Sequence, residues 1–181
     1  MRFSIILFMI FGFYFSALCL VEKDQQIEIK LIYTGTNKVG VEQITIQKHK
    51  NIIARITTDS KGVGCISRDL LNDLSDYDLY LTSMGVMGTY LTTINAKTSG
   101  VIEIILPKTY QMKLGKAICP KCHRINNVFK AIYSDPPIRV RKIIKRDTIY
   151  SPIFKGRYYM PTDVSNEFDP HWYCKKDDLL F

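Results

Sequence analysis

Tyr77-Asp78-Leu79-Tyr80-Leu81-Thr82-Ser83 decides the fold of this 181-residue chain. Tyr77, Leu79, Leu81 and Ser83 alternate with Asp78, Tyr80 and Thr82, and a period of two places successive side chains on opposite faces of a strand. Upstream, Asp59-Ser60-Lys61-Gly62 is turn chemistry between Ile52–Thr58 and Val63–Ile66. Further upstream, Val41, Ile44 and Ile46 make one apolar run, and Ile27, Ile29, Leu31 and Tyr33 make another. Downstream, Gly85 and Gly88 break the chain, Tyr90–Ile94 resumes it and Val101–Leu106 closes it. About seven short strands separated by turns predict an antiparallel Greek-key β-sandwich over residues 22–107. One helical turn is expected at Ser67–Leu74, with Ser67 as its cap and Leu70, Leu71 and Leu74 on one face.

Within this region, Thr57-Thr58-Asp59-Ser60-Lys61-Gly62, then Tyr77-Asp78-Leu79-Tyr80-Leu81 and Met84-Gly85, resemble the carboxypeptidase-regulatory-like, transthyretin-like β-sandwich. Its pattern is a T-D-x-x-G hairpin followed by a Y-x-L/V-x-V strand and a glycine turn. Val39-Gly40-Val41 echoes its opening motif, and Gly64-Cys65-Ile66 stands where an aromatic strand is usual. The resemblance implies an accessory or interaction module without a catalytic site. Cys65 is expected in the core, as free cysteine commonly is.

Residues 1–19 read as a signal peptide. Arg2 is the basic region, Ser4–Phe15 is almost wholly apolar, and Ala17-Leu18-Cys19 suits cleavage after Cys19. The apolar run is short for a membrane span. The rival reading is a lipoprotein with Cys19 acylated, a motif that Leu18 fits poorly. The expected location is periplasm, outer-membrane surface or medium, where thiols meet oxidising conditions.

Beyond residue 107 the composition changes. Six of the seven prolines lie after residue 119, which disfavours long helices and central strands. Residues 22–107 carry 9 basic and 10 acidic side chains, whereas residues 108–181 carry 15 and 7. The net charge of +8 therefore resides in the second part. An exported basic module implies a cell-envelope protein, an anionic polysaccharide or a lipid surface as partner, rather than nucleic acid. Arg139–Ile149, basic with interleaved isoleucines, reads as a solvated strand or hairpin. Residues 108–181 are thus a small basic module in need of a staple.

The staple lies in Cys119-Pro120-Lys121-Cys122-His123 and His171-Trp172-Tyr173-Cys174-Lys175-Lys176-Asp177. A C-x2-C turn lets two thiolates reach one tetrahedral zinc. Cys174 supplies a third ligand, and Asp177 or His171 the fourth. The segment resembles a zinc-ribbon-like module with C-P-x-C at its start and W-x-C-x-x-C/H at its end, its last ligand aligning with Asp177.

Three other readings stay open. Cys119-x-x-Cys122-His123 matches c-type haem attachment, with His123 proximal and Met160 or His171 as sixth ligand. C-P-x-C opening a helix would lower a thiol pKa for redox work. Ile125, Val128, Phe129, Ile132 and Tyr133 allow that helix, and equally a strand. The last is a disulfide: two of Cys119, Cys122 and Cys174 joined with one thiol spare, or a pairing with Cys65. No Ser-His-Asp set, acid/base carboxylate pair or phosphate loop is legible. The chain is expected to be a non-enzymatic interaction or structural protein.

Overall fold

The computed structural model describes residues 25–34, 41–71, 75–82, 88–134, 141–144, 147–150, 152–160 and 167–181. The leader with Cys19 lies outside them, as do Val39-Gly40, Leu74, Ser83, Met84-Gly85 and Pro161. The chain is an all-β sandwich with further small sheets, and no α-helix occurs among the described residues.

The seven strands expected from the alternation form where it places them. They are β1 (Gln26–Tyr33), β2 (Gln43–Lys48), β3 (Asn51–Thr57), β4 (Val63–Ser67), β5 (Tyr77–Leu81), β6 (Thr89–Ile94) and β7 (Val101–Leu106). One sheet has the order β4-β1-β7, the other β3-β2-β5-β6. Ile27, Ile29 and Leu31 of β1 face Ile44, Ile46, Leu79, Leu81 and Leu91 of the second sheet, all 2 % exposed or less. One pairing departs from the antiparallel expectation: β1 runs parallel to β7. The whole second sheet intervenes between those strands, so no hairpin dictates their relative direction.

The Asp59 turn has a local cause. Its carboxylate accepts the backbone N–H groups of Lys61 (2.8 Å) and Val63 (2.9 Å), an Asx-type closure. Gly62 takes φ +78° there, a region that costs glycine nothing. After β4, Ser67 accepts from Asp69 N–H and caps a single 3-10 turn, Arg68–Leu70, shorter than the turn expected.

Cys65 corrects its expectation. Gly64 and Ile66 are buried while Cys65 between them is half-buried, because the pleat turns alternate residues outward. It is disulfide-bonded.

The second part begins with a tight hairpin, β8 (Met112–Lys113) and β9 (Lys116–Ala117). Its turn residues, Leu114 and Gly115, both have positive φ, the requirement of a two-residue hairpin turn that matches strand twist. A five-stranded sheet follows. It comprises β10 (Val128–Tyr133), β13 (Ile153–Phe154), β14 (Arg157–Met160), β15 (Trp172–Cys174) and β16 (Leu179–Leu180), in the order β13-β14-β10-β15-β16. The segment with two open readings is therefore a strand, β10. The basic run forms the hairpin of β11 (Arg141–Ile144) with β12 (Asp147–Tyr150).

The two parts share a core. Tyr90 packs with Ala117, Cys119, Val128, Cys174, Leu179 and Phe181, flanked by Tyr80, Tyr110 and Trp172. The second part thus covers the outer face of β5 and β6. Phe168 meets the Tyr33 ring edge-on at 5.5 Å, and its carbonyl accepts the Thr89 hydroxyl at 2.6 Å.

Candidate metal centre

Cys119 leaves β9 as the first residue of a tight turn. Its carbonyl accepts His123 N–H at 3.0 Å, and its own N–H donates to Arg124 at 3.1 Å. The N–H groups of Lys121 and Cys122 donate to the Cys119 sulfur. The turn ends on His123 at φ +55°.

Cys174 ends β15 and opens the turn to β16, where the pattern repeats. Asp177 N–H, three residues on, donates to the Cys174 sulfur, as Cys122 N–H does to Cys119. Asp178, the residue after, takes φ +47°, as His123 does. Cys119-Pro120-Lys121-Cys122-His123 and Cys174-Lys175-Lys176-Asp177-Asp178 therefore share a backbone device, an N–H three residues on aimed at the first sulfur and a left-handed residue after it, with Asp177 in the place of Cys122. Backbone N–H groups aimed at a sulfur favour its charged form, which is the form that binds metal.

The turns meet. One ligand atom from each of Cys119, Cys122, Cys174 and Asp177 falls within 4.8 Å of all the others. The sulfurs of Cys122 and Cys174 are 3.8 Å apart. A tetrahedral zinc with sulfurs at about 2.3 Å requires an S···S edge of about 3.8 Å. Asp177 Oδ2 lies 3.0 Å from the Cys119 sulfur and 3.2 Å from that of Cys174. Cys119 and Cys174 are wholly buried. The group can hold a metal ion.

The protonation pattern follows from geometry. Burial pushes the Cys119 thiol up, and the hydrogen bond it gives Asp177 adds to this. Burial likewise raises Cys174. Burial also works to raise Asp177, but bonds from Cys122, Cys119 and Cys174, with Lys176 nearby, outweigh it and hold the carboxyl below its ordinary value. One carboxylate thus sits amid thiol protons, and a divalent ion would replace those protons on the same ligands.

His171 stands outside this group. It is exposed, and an odd offset of three from Cys174 on extended chain sends it to the opposite face. His123 is exposed and Met160 is buried on β14; Cys119 and Cys122 are turned toward Cys174 and Asp177 instead of outward to a porphyrin. The redox reading required a helix and a lowered thiol, whereas β10 follows the knuckle and burial raises Cys119. Cys119, Cys122 and Cys174 are free, so the disulfide reading does not describe this fold.

Sequence reasoning missed the clasps that seat both turns on the sandwich. Lys121 of the first turn pairs with Asp78 of β5 at 2.6 Å, and Asp78 also accepts from Thr93, which meets the Tyr90 hydroxyl. Asp178 of the second turn pairs with Lys50 and accepts from the Tyr173 hydroxyl at 2.7 Å. Tyr80 and Tyr90, ring centroids 5.9 Å apart, were the available signal. Aromatic residues on the outer face of a sheet mark a covered surface.

No family model matches the sequence, and no curated protein matches it. Among solved structures, 46 % of the chain overlays 16 % of the Bacillus anthracis TIE protein, at 16 % identity and a TM-score of 0.34. A DUF3823 family protein from Parabacteroides merdae overlays 45 % of the chain with 45 % of its own length, at 14 % identity and a TM-score of 0.32. The chain therefore spans less than half the length of either protein.

Proposed function

We propose that this chain is an exported, non-catalytic interaction protein. In this reading a structural zinc, held by Cys119, Cys122, Cys174 and Asp177, closes a zinc-ribbon-like module onto a sandwich of carboxypeptidase-regulatory-like type. The observation that carries it is the repeated turn: one backbone device, used twice, brings four ligands to one point. Three thiolates select a soft or borderline ion, and zinc takes such sites without redox change. Four protein ligands, two of them wholly buried, complete a tetrahedron and leave no open position, which is the mark of a structural zinc as opposed to a catalytic one. Export follows from the leader-like residues 1–19, and the basic second part suits an anionic envelope surface.

The test is metal analysis of the full chain, expressed with its own residues 1–19 into an oxidising compartment and purified without added metal. One zinc per chain is expected, lost in both Cys119→Ser and Cys174→Ser. Retention of zinc in either variant, or a wild-type chain that takes up none when supplied, overturns the reading.

A further inference from the structure

Beside the first turn, on its outward side, lies a cavity of about 340 Å³ lined by Lys113, Ile118, His123, Arg124, Ile125 and Asn126. The lining holds two cations, an imidazole and a carboxamide, and no carboxylate. Among the described residues no ion pair engages Lys113 or Arg124. Cationic donors outside any ion pair, lining one open hollow, have the composition of an anion site.

The backbone adds a second observation. His123 holds a left-handed φ of +55°, a conformation in which histidine is enriched at turns, and this orients its side chain at the end of the knuckle. At the equivalent place in the other turn, Asp178 has the same conformation and meets Lys50 and Tyr173. His123 has no such protein partner among the described residues, and it lines the cavity.

The scaffold is rigid where a site needs it. Arg124 is tied by its carbonyl to Cys119 N–H, Ile118 N–H bonds Gln111, and Ile125 accepts from Val128 N–H. Lys113 stands beside the tight turn of the β8–β9 hairpin. The guanidinium offers a flat fork and the ammonium a point charge, a pairing suited to phosphate oxygens. Ile118 and Ile125 supply apolar wall for the carbon attached to a phosphate ester.

We infer that this cavity binds a phosphate group, either of a soluble phosphate ester or of a phospholipid head group. The inference deepens the proposed function and rests on it, because the metal-bound turn would position His123 and Arg124.

The experiment uses the zinc-loaded full chain, with amide resonances followed as inorganic phosphate is added. Saturable shifts are expected at Lys113, Ile118 and residues 123–126. Arg124→Gln should weaken binding by about tenfold or more, whereas Lys97→Gln, which removes the same charge from the sandwich, should leave it unchanged. Lys113→Gln, beside a hairpin turn, serves if Arg124→Gln fails to fold. Co-sedimentation with phosphatidylcholine vesicles, with and without phosphatidylglycerol, separates the sources. Capture that needs phosphatidylglycerol and falls in the same variants assigns the head group; phosphate binding without capture assigns a soluble ester. Shifts spread evenly over all lysines and arginines, or equal loss in Lys97→Gln, overturn the site. Zinc content measured in the same samples keeps two failures apart. A metal-loaded chain that ignores phosphate sinks the cavity alone, and a metal-free chain that still takes phosphate at these residues sinks the metal centre alone.

Discussion

The sandwich and the second part solve the same problem with different means. Among the described residues the sandwich buries fourteen hydrophobic side chains in one cluster drawn from both its sheets. Among the described residues the second part contributes to a cluster of seven, of which two are the thiols of Cys119 and Cys174 and one, Tyr90, is borrowed from the sandwich, with Ala131, Met160 and Tyr173 buried beside it. Apolar burial at about 25 cal/mol per Å² can hold the first. The second cluster is half that size, and its buried sulfurs are polar enough to want a partner. A small module compensates with a staple; here the staple and the core are the same residues.

The sharpest way to break the comparison is to deprive the proposed centre of its zinc. Binding at structural zinc sites is worth roughly 10–16 kcal/mol and counts as folding energy. Chelation should therefore cost the second part its structure and leave the sandwich standing. Amide exchange is the readout: protection is expected to vanish over residues 117–133 and 172–181, and to persist at Ile29, Ile46 and Leu79. Uniform loss across both parts would show that the sandwich has no independent stability.

The converse perturbation strikes the other core. Leu79 is fully buried at the centre of β5, and Leu79→Ala should cost about 2–5 kcal/mol. Because β5 also presents Asp78 and Tyr80 to the second part, both parts should melt together in a single transition at lower temperature. Two separated transitions in calorimetry would mean that the shared face contributes little.

How much of this was readable depended on what each residue signals locally. Ile27, Ile29 and Leu31, or Tyr77, Leu79 and Leu81, state their own phase, so strands and inward faces followed directly. Val63-Gly64-Cys65-Ile66 is apolar throughout and states no phase, which is why Cys65 was expected inside. The parallel β1–β7 pairing is a long-range choice that leaves no local mark. At the metal centre, C-x2-C and C-x2-D were legible as spacing. That Asp177, and not His171, joins the thiols was fixed by an extended strand whose pleat could be applied only once β15 was known. The ambiguity at Val128–Tyr133 was real, since apolar residues there satisfy both periods, and pairing with β14 and β15 decided it.

Asp177 itself can be sharpened. A carboxylate is a harder ligand than a thiolate, yet its turn already has the backbone of a cysteine knuckle. Asp177→Cys should therefore bind zinc at least about tenfold more tightly, and Asp177→Ala should bind it more weakly, in competition against a coloured chelator. Equal affinity in all three proteins would remove Asp177 from the ligand set and leave a three-cysteine site.

The smallest effects lie in the clasps, and they differ for a physical reason. The side chains of Lys121 and Asp78 are 33 % and 17 % exposed, whereas those of Lys50 and Asp178 are 70 % and 54 % exposed. Water screens the second pair more fully, and exposed ion pairs contribute about 0–1 kcal/mol. Asp78 is further held by Thr93, so Lys121 finds a carboxylate already fixed and loses less entropy in meeting it. A double-mutant cycle of Lys121→Ala with Asp78→Asn should return a coupling of about 1 kcal/mol, and Lys50→Ala with Asp178→Asn clearly less. If the order is reversed, exposure does not rank these clasps, and the hydrogen bond from Tyr173 to Asp178 becomes the contact that seats the second turn.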